Sequence, residues 1–191
     1  MYFGLSEEQK SLEENISKFL SDNAPLDAIK AVADGEEVKA DEIHKGIIEL
    51  GLSGLMVPES YGGLELNMLF ATVVSSALGA GTAPVPYAGA YVMAPIAITL
   101  AGDEDQKNDW LPKIAGGEIV IGVGLSEFVG AREDAGIEFD KGKVSGRSLF
   151  LIDGKNADAY LLANKSGELF LIDSSSKGTV SYTHLTLPTK A

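Results

Sequence analysis

The spacing of apolar residues changes once along this chain, near Gly117, and that change limits the fold more than any other feature. Before it, hydrophobic side chains recur at the three- and four-residue intervals of an amphipathic helix. After it, short apolar runs are separated by Gly, Asp, Asn and Lys, the punctuation of strands and tight turns. Helices followed by strands point to an α+β protein. The expected organisation is an all-helical domain over residues 1–117, then a small antiparallel β-barrel or sandwich domain over 118–182, the latter incomplete.

Local signals place the elements. Ser6 with Gln9 forms a capping box ahead of Leu12, Ile16, Phe19 and Leu20, which share one helical face. Pro25 opens a second short helix with Leu26, Ile29 and Ala33 inward. A third, over about 41–50, turns Ile43, Ile47 and Leu50 to the core, with Gly51 as a left-handed cap. Pro58, Gly62 and Gly63 mark a non-helical connection before Asn67 caps a helix over about 68–78. Another helix is expected over 87–101, stopped by Gly102; Asp103 and Gln106 cap a segment ending at Trp110 and Leu111, before Pro112. Strands are expected at 119–125, 143–145, 149–152, 160–163 and 169–172, with one more near 179–182, joined by turns at 140–142, 153–156 and 165–167.

Composition removes several function classes. The 191 residues include 28 acidic and 15 basic side chains, a formal charge of −13. Such a surface repels phosphate backbones and anionic lipid, so nucleic acid is a poor partner, although a single phosphorylated ligand needs only a few local donors. The absence of cysteine excludes disulfides, thiol nucleophiles and Cys-based metal sites. Two histidines, His44 and His184, cannot make a His-rich metal cluster. The N-terminal MYFGLSEEQK lacks the basic and apolar regions of a signal peptide, and the apolar stretch over 87–101 contains Pro95 and is short for a bilayer. No membrane insertion is expected, and the cytoplasm is the expected location.

Three motifs then occur in order. Gly51-Leu52 through LMVPESYGGLEL, GDEDQKNDWLPKIAGGEIVIGVGLSE and KVSGRSLFLIDGKNADAYLLA resemble successive signatures of the acyl-CoA dehydrogenase family: "GL-x-G-x-x-x-P-x-x-YGG", "G-x-x-x-QK-x-x-x-LP-x-(L/I)-A-x-GE" and "G-x-K-x-(W/F)-(I/V)-x-x-(G/A)-x-x-AD". Singly, each is first a set of turn or helix-end residues; together they span Gly51 to Ala163. The resemblance implies an N-terminal helical domain, a β domain and a C-terminal four-helix bundle. It implies FAD between the last two, partly contacted by a neighbouring subunit, and α,β-dehydrogenation of an acyl-CoA thioester. A desolvated carboxylate takes the α-proton as hydride leaves for the flavin. That base belongs to the C-terminal domain, before which this chain is expected to stop, so no catalytic residue is assigned. Glu127, Asp134 and Glu138 read as solvated or structural carboxylates. The last eleven residues, SYTHLTLPTKA, change character and resemble a translated sequencing adapter; 183–191 are expected to be a non-native tail.

The resemblance also implies the flavin contacts. Leu125 stands where backbone groups meet the flavin ring, and Ser126 takes a Thr position whose hydroxyl it can replace. Phe128 replaces a Pro. Phe150, Leu151 and Ile152 occupy the Trp-Ile-Thr segment; Phe150 can stack on the isoalloxazine, whereas Ile152 lacks the expected hydroxyl, a loss of roughly 0.5–1.5 kcal/mol. The alternative for Phe150 and Ile152 is an ordinary inward strand position. Arg132 is the candidate substrate-binding residue, able to pair with an acyl-CoA phosphate, although a surface charge is the favoured reading. These departures resemble a bacterial branch with heteromeric dehydrogenases acting on steroid side chains or other bulky acyl-CoAs. Three functions follow: a fragment of an FAD-dependent acyl-CoA dehydrogenase, inactive without its C-terminal domain and homo- or hetero-oligomeric when complete; a non-catalytic subunit of a heteromeric dehydrogenase; or a helical-plus-β interaction module without redox chemistry.

Overall fold

Six α-helices precede five strands in the computed structural model, which describes residues 4–125 and 136–182. The helices are α1 (Glu7–Asn23), α2 (Leu26–Ala33), α3 (Glu37–Glu49), α4 (Met68–Ala80), α5 (Ala94–Ala101) and α6 (Glu104–Ala115). The strands are β1 (Ile121–Gly124), β2 (Gly136–Asp140), β3 (Lys143–Arg147), β4 (Ala159–Ala163) and β5 (Leu169–Asp173). The α+β class expected from the change of period is the observed one.

Caps set the helix starts. Ser6 accepts from the Gln9 N–H while the Gln9 side chain accepts from the Ser6 N–H, and Asp103 and Gln106 repeat the arrangement at α6. Each box satisfies donors that the first turn leaves without helical partners. Asn67 Oδ1 accepts from the Leu69 N–H at the head of α4. Gly51, at φ 78°, turns the chain out of α3 as its residue type requires.

The main core runs through both halves of the chain. Ile16 and Leu20 of α1, Ile43 and Ile47 of α3, Leu52, Leu55 and Val57 of the connection, and Leu111 and Ile114 of α6 share one buried cluster with Ile121, Val123, Ala159 and Leu161 of the sheet. Burying one such Leu or Ile side chain contributes about 1.5–3 kcal/mol. Ser53 Oγ, fully buried, donates to the Ala115 carbonyl at 2.8 Å and ties the connection to the end of α6.

Several helix expectations need correction. Leu26 is 65% exposed and Ala33 is also exposed. The two turns of α2 bring only Ile29 against the core, with Val32 on a cleft wall. Leu50 is 38% exposed because it caps α3 rather than lying within it. The helix α6 runs past Leu111 and through Pro112, since Leu111 and Ile114 are both fully buried and their packing outweighs the hydrogen bond that proline removes. The expected helix over 87–101 is divided: residues Ala88–Met93 form a π-helical turn that leads into α5.

In the sheet, β1 pairs parallel with β4, and β4 pairs antiparallel with β5. Strands β2 and β3 form a separate hairpin closed by Lys141 and Gly142, both at positive φ, as a two-residue primed turn demands. The sheet is thus mixed rather than wholly antiparallel, and no closed barrel forms among the described residues. Register is pinned where Asp158 Oδ2 accepts from the Val120 N–H at 2.8 Å. All of β4 is buried: Ala159 and Leu161 face the helices, while Tyr160 and Leu162 join a smaller cluster with Ile137 and Ala157. The strand expected at 149–152 is instead one isolated bridge, and no strand lies at 179–182.

Candidate functional site

Strand β1 has two neighbours. On one side Val123 pairs with Leu161 of β4. On the other, Val123 and Ile152 exchange both backbone hydrogen bonds, at 2.8 and 2.9 Å. The structure therefore brings segment 150–152 against β1, the strand that leads into Leu125; of the two stretches that the sequence reading assigns to the flavin, Leu125–Ser126 and 150–152, the first is described only at Leu125. Phe150 is 63% exposed and Ile152 is 42% exposed, so neither is an ordinary inward strand residue. Leu125 and Leu151 are half-buried. Phe150 adopts φ 58°, a left-handed conformation unusual for an aromatic residue, which ends regular strand pairing there. Ser126, Glu127, Phe128, Arg132 and Asp134, and the tail over 183–191 with His184, lie outside the described residues. Glu138 is exposed on β2, as a solvated carboxylate should be.

The same segment is anchored to the helical part of the chain. Asp153 Oδ2 accepts hydrogen bonds from the backbone N–H groups of Tyr87 (3.0 Å), Gly89 (2.7 Å) and Ala90 (3.0 Å), where the π-helical turn begins. A carboxylate suits donors at a helix start, which otherwise lack partners and carry partial positive charge. Sequence reasoning placed Asp153 in a turn and missed this role, because its three donors lie more than sixty residues away. Asp153 also lines an open cleft of about 590 Å³ with Ile29, Val32, Leu78, Val85 and Tyr87.

Behind the turn, the fully buried Tyr91 places its hydroxyl 2.7 Å from His44 Nε2, with the rings stacked at 5.8 Å. Burial pushes the phenols of Tyr87 and Tyr91 well above their ordinary range, and it lowers His44 despite the opposing charges of Asp41 and Asp153. The lowered value favours the neutral ring, which shares a hydrogen bond with the Tyr91 hydroxyl through Nε2. The folded-state value lies below the 6.5 of the free side chain. As pH falls below 6.5, the unfolded chain takes this proton first, so stability is intact above that value and is lost on acidification until the folded-state value is passed. Urea unfolding at stepped pH should show this loss just below 6.5, and His44→Gln should flatten it; an unchanged slope in the variant would refute the assignment to His44.

Residues 6–118 match the sequence profile of the acyl-CoA dehydrogenase N-terminal domain. The chain belongs to the acyl-CoA dehydrogenase family. Mitochondrial isovaleryl-CoA dehydrogenase of Bos taurus is 27% identical over 171 residues, covering 85% of this chain and 40% of the relative. Among solved structures, a variant of the Tcur3481-Tcur3483 steroid ACAD superposes with a TM-score of 0.75 at 26% identity, over 90% of this chain and 49% of that one. An acyl-CoA dehydrogenase complexed with FAD from Bacillus anthracis superposes with a TM-score of 0.72 at 24% identity, over 91% of this chain and 32% of that one. The chain thus spans less than half the length of each of these proteins. Among the described residues of this family member, no group of His, Asp and Glu side chains could hold a metal ion, and no helix is long and apolar enough to cross a membrane.

Proposed function

We propose that this chain supplies the helical and flavin-facing parts of an FAD-dependent acyl-CoA dehydrogenase, with Leu125, Ser126, Phe150, Leu151 and Ile152 along the cofactor. The observation that carries this reading is the Val123–Ile152 junction with its outward Phe150 and Ile152: an apolar, aromatic-bearing rim on a rigid strand edge, of the kind a planar ring system can lie against. The family match and the FAD-containing fold relative support it. The cofactor, when bound, supplies the hydride-accepting chemistry; the residues of this chain hold and orient it and keep water from one face. The substrate is an acyl-CoA thioester, and the complete protein is an oligomer acting in the cytoplasm. No catalytic carboxylate is assigned to this chain.

Titration with FAD, followed by quenching of flavin fluorescence, tests the reading. The protein should bind FAD, and Phe150→Ala should weaken binding several-fold, the loss of a stacking interaction worth about 0.5–1.5 kcal/mol. Absence of binding, or indifference to Phe150→Ala, would sink it. The second reading, a non-catalytic subunit of a heteromeric dehydrogenase, gains support from the two-component name of the steroid ACAD relative and from the missing hydroxyl at Ile152. It predicts FAD-dependent assembly with a second, active chain, and no dye reduction by acyl-CoA without that chain.

A further inference from the structure

Asp153 and Gly89 face each other across the junction between sheet and helix. Three backbone N–H groups converge on one carboxylate oxygen, and the residue bearing it directly follows the rim segment 150–152. Gly89 sits in a helical turn, where alanine is ordinarily preferred. A Cβ there would lie 2.9 Å from the Ile152 carbonyl oxygen and 3.1 Å from Asp153 Oδ2, so the glycine is required by close approach of the rim backbone. The helix start thus grips this segment from one side while β1 grips it from the other through Val123.

We propose that Asp153 is a positioning residue that locks the 150–152 segment to the turn beginning at Ala88, and that this lock sets how tightly the protein holds FAD, a functional meaning that rests on the flavin reading above. The side chain acts by fixing the backbone that carries Phe150 and Ile152 rather than by touching ring or substrate. It also ties the rim to the helix start at Tyr87.

Amide hydrogen exchange and FAD titration on the same variants test the lock. Asp153→Ala should raise exchange at the Gly89, Ala90, Ile152 and Val123 amides by about tenfold and weaken FAD binding by a similar factor, while amides of α1 stay protected. Asp153→Asn keeps an acceptor oxygen and should restore most of both, a rescue that loss of general stability would not show. Should Asp153→Ala fail to fold, Gly89→Ala decides: its methyl group should push the rim away and raise exchange at Ile152 with the carboxylate intact. Unchanged protection at Ile152 and Val123 in either variant overturns the lock, as does an Asp153→Asn protein no better than Asp153→Ala. A rise in exchange with undiminished FAD affinity overturns the role in holding cofactor. If the unaltered protein binds no FAD, the flavin reading falls and the exchange result alone decides the lock.

Discussion

Gly63→Ala is expected to destabilise the protein by about 4 kcal/mol or more, at the upper end of what single substitutions do. The reason is backbone against backbone. A Cβ at position 63 would overlap the Val57 carbonyl oxygen and lie 2.5 Å from the Val57 Cβ. Val57 is fully buried in the main core and cannot withdraw. The chain crosses itself at this point: the N–H groups of Leu64, Glu65 and Leu66 donate to the carbonyls of Gly54, Val57 and Leu55, each at 2.9 Å. Relieving the overlap would break that ladder. The neighbouring glycine behaves differently. Gly62 adopts φ 85° with open space where a Cβ would go, so Gly62→Ala meets only the left-handed penalty, roughly 1–2 kcal/mol. Urea unfolding of both variants, compared at constant slope, separates the two causes. Equal losses would show that Gly63 is not held by close approach.

This pair also shows what a sequence can convey. The Tyr-Gly-Gly run reads as a turn, and it is one, but the reading does not distinguish a glycine needed for its dihedral angle from one needed for its missing side chain. That distinction depends on Val57, which is close in space through a crossing no local pattern encodes. Features written within four residues were legible: the Ser6–Gln9 and Asp103–Gln106 boxes, the Asn67 cap and the left-handed Gly51 all stand where the residue types place them. Features set by distant partners were not. The parallel pairing of β1 with β4 is invisible to a rule that joins successive strands, because the β2–β3 hairpin intervenes. The segment 149–152 has strand composition, yet positive φ at Phe150 and Asp153, the latter bonded to the helical turn, leaves only a bridge. Its two apolar side chains, Phe150 and Ile152, are exposed, whereas their hydrophobicity alone would have placed them inside.

Leu161→Ala should cost about 2–5 kcal/mol, the range for truncating a well-packed core side chain. Leu161 is nearly fully buried on the face of β4 that meets the helices, flanked by Val123 on β1 and Leu171 on β5. Its removal leaves a cavity between rigid layers that cannot close around it. The adjacent Leu162 points the other way, into a smaller cluster with Ile137, Ala157 and Tyr160, whose further neighbours Phe170 and Ile172 are only partly buried and can shift. Leu162→Ala should therefore cost less, about 2 kcal/mol, near the lower end of the same range. The pair carries a second, sharper consequence. Because Leu161 shares one core with Ile98 of α5 and Leu111 of α6, its loss should lower the unfolding midpoint seen by helical circular dichroism and by Trp110 fluorescence together. A helical midpoint that stays fixed while only the sheet loosens would mean that the two parts of the chain unfold separately. Since Val123 bonds to Ile152 on its far edge, the same substitution should also weaken the rim that Asp153 holds, linking stability of the shared core to the site proposed for the cofactor.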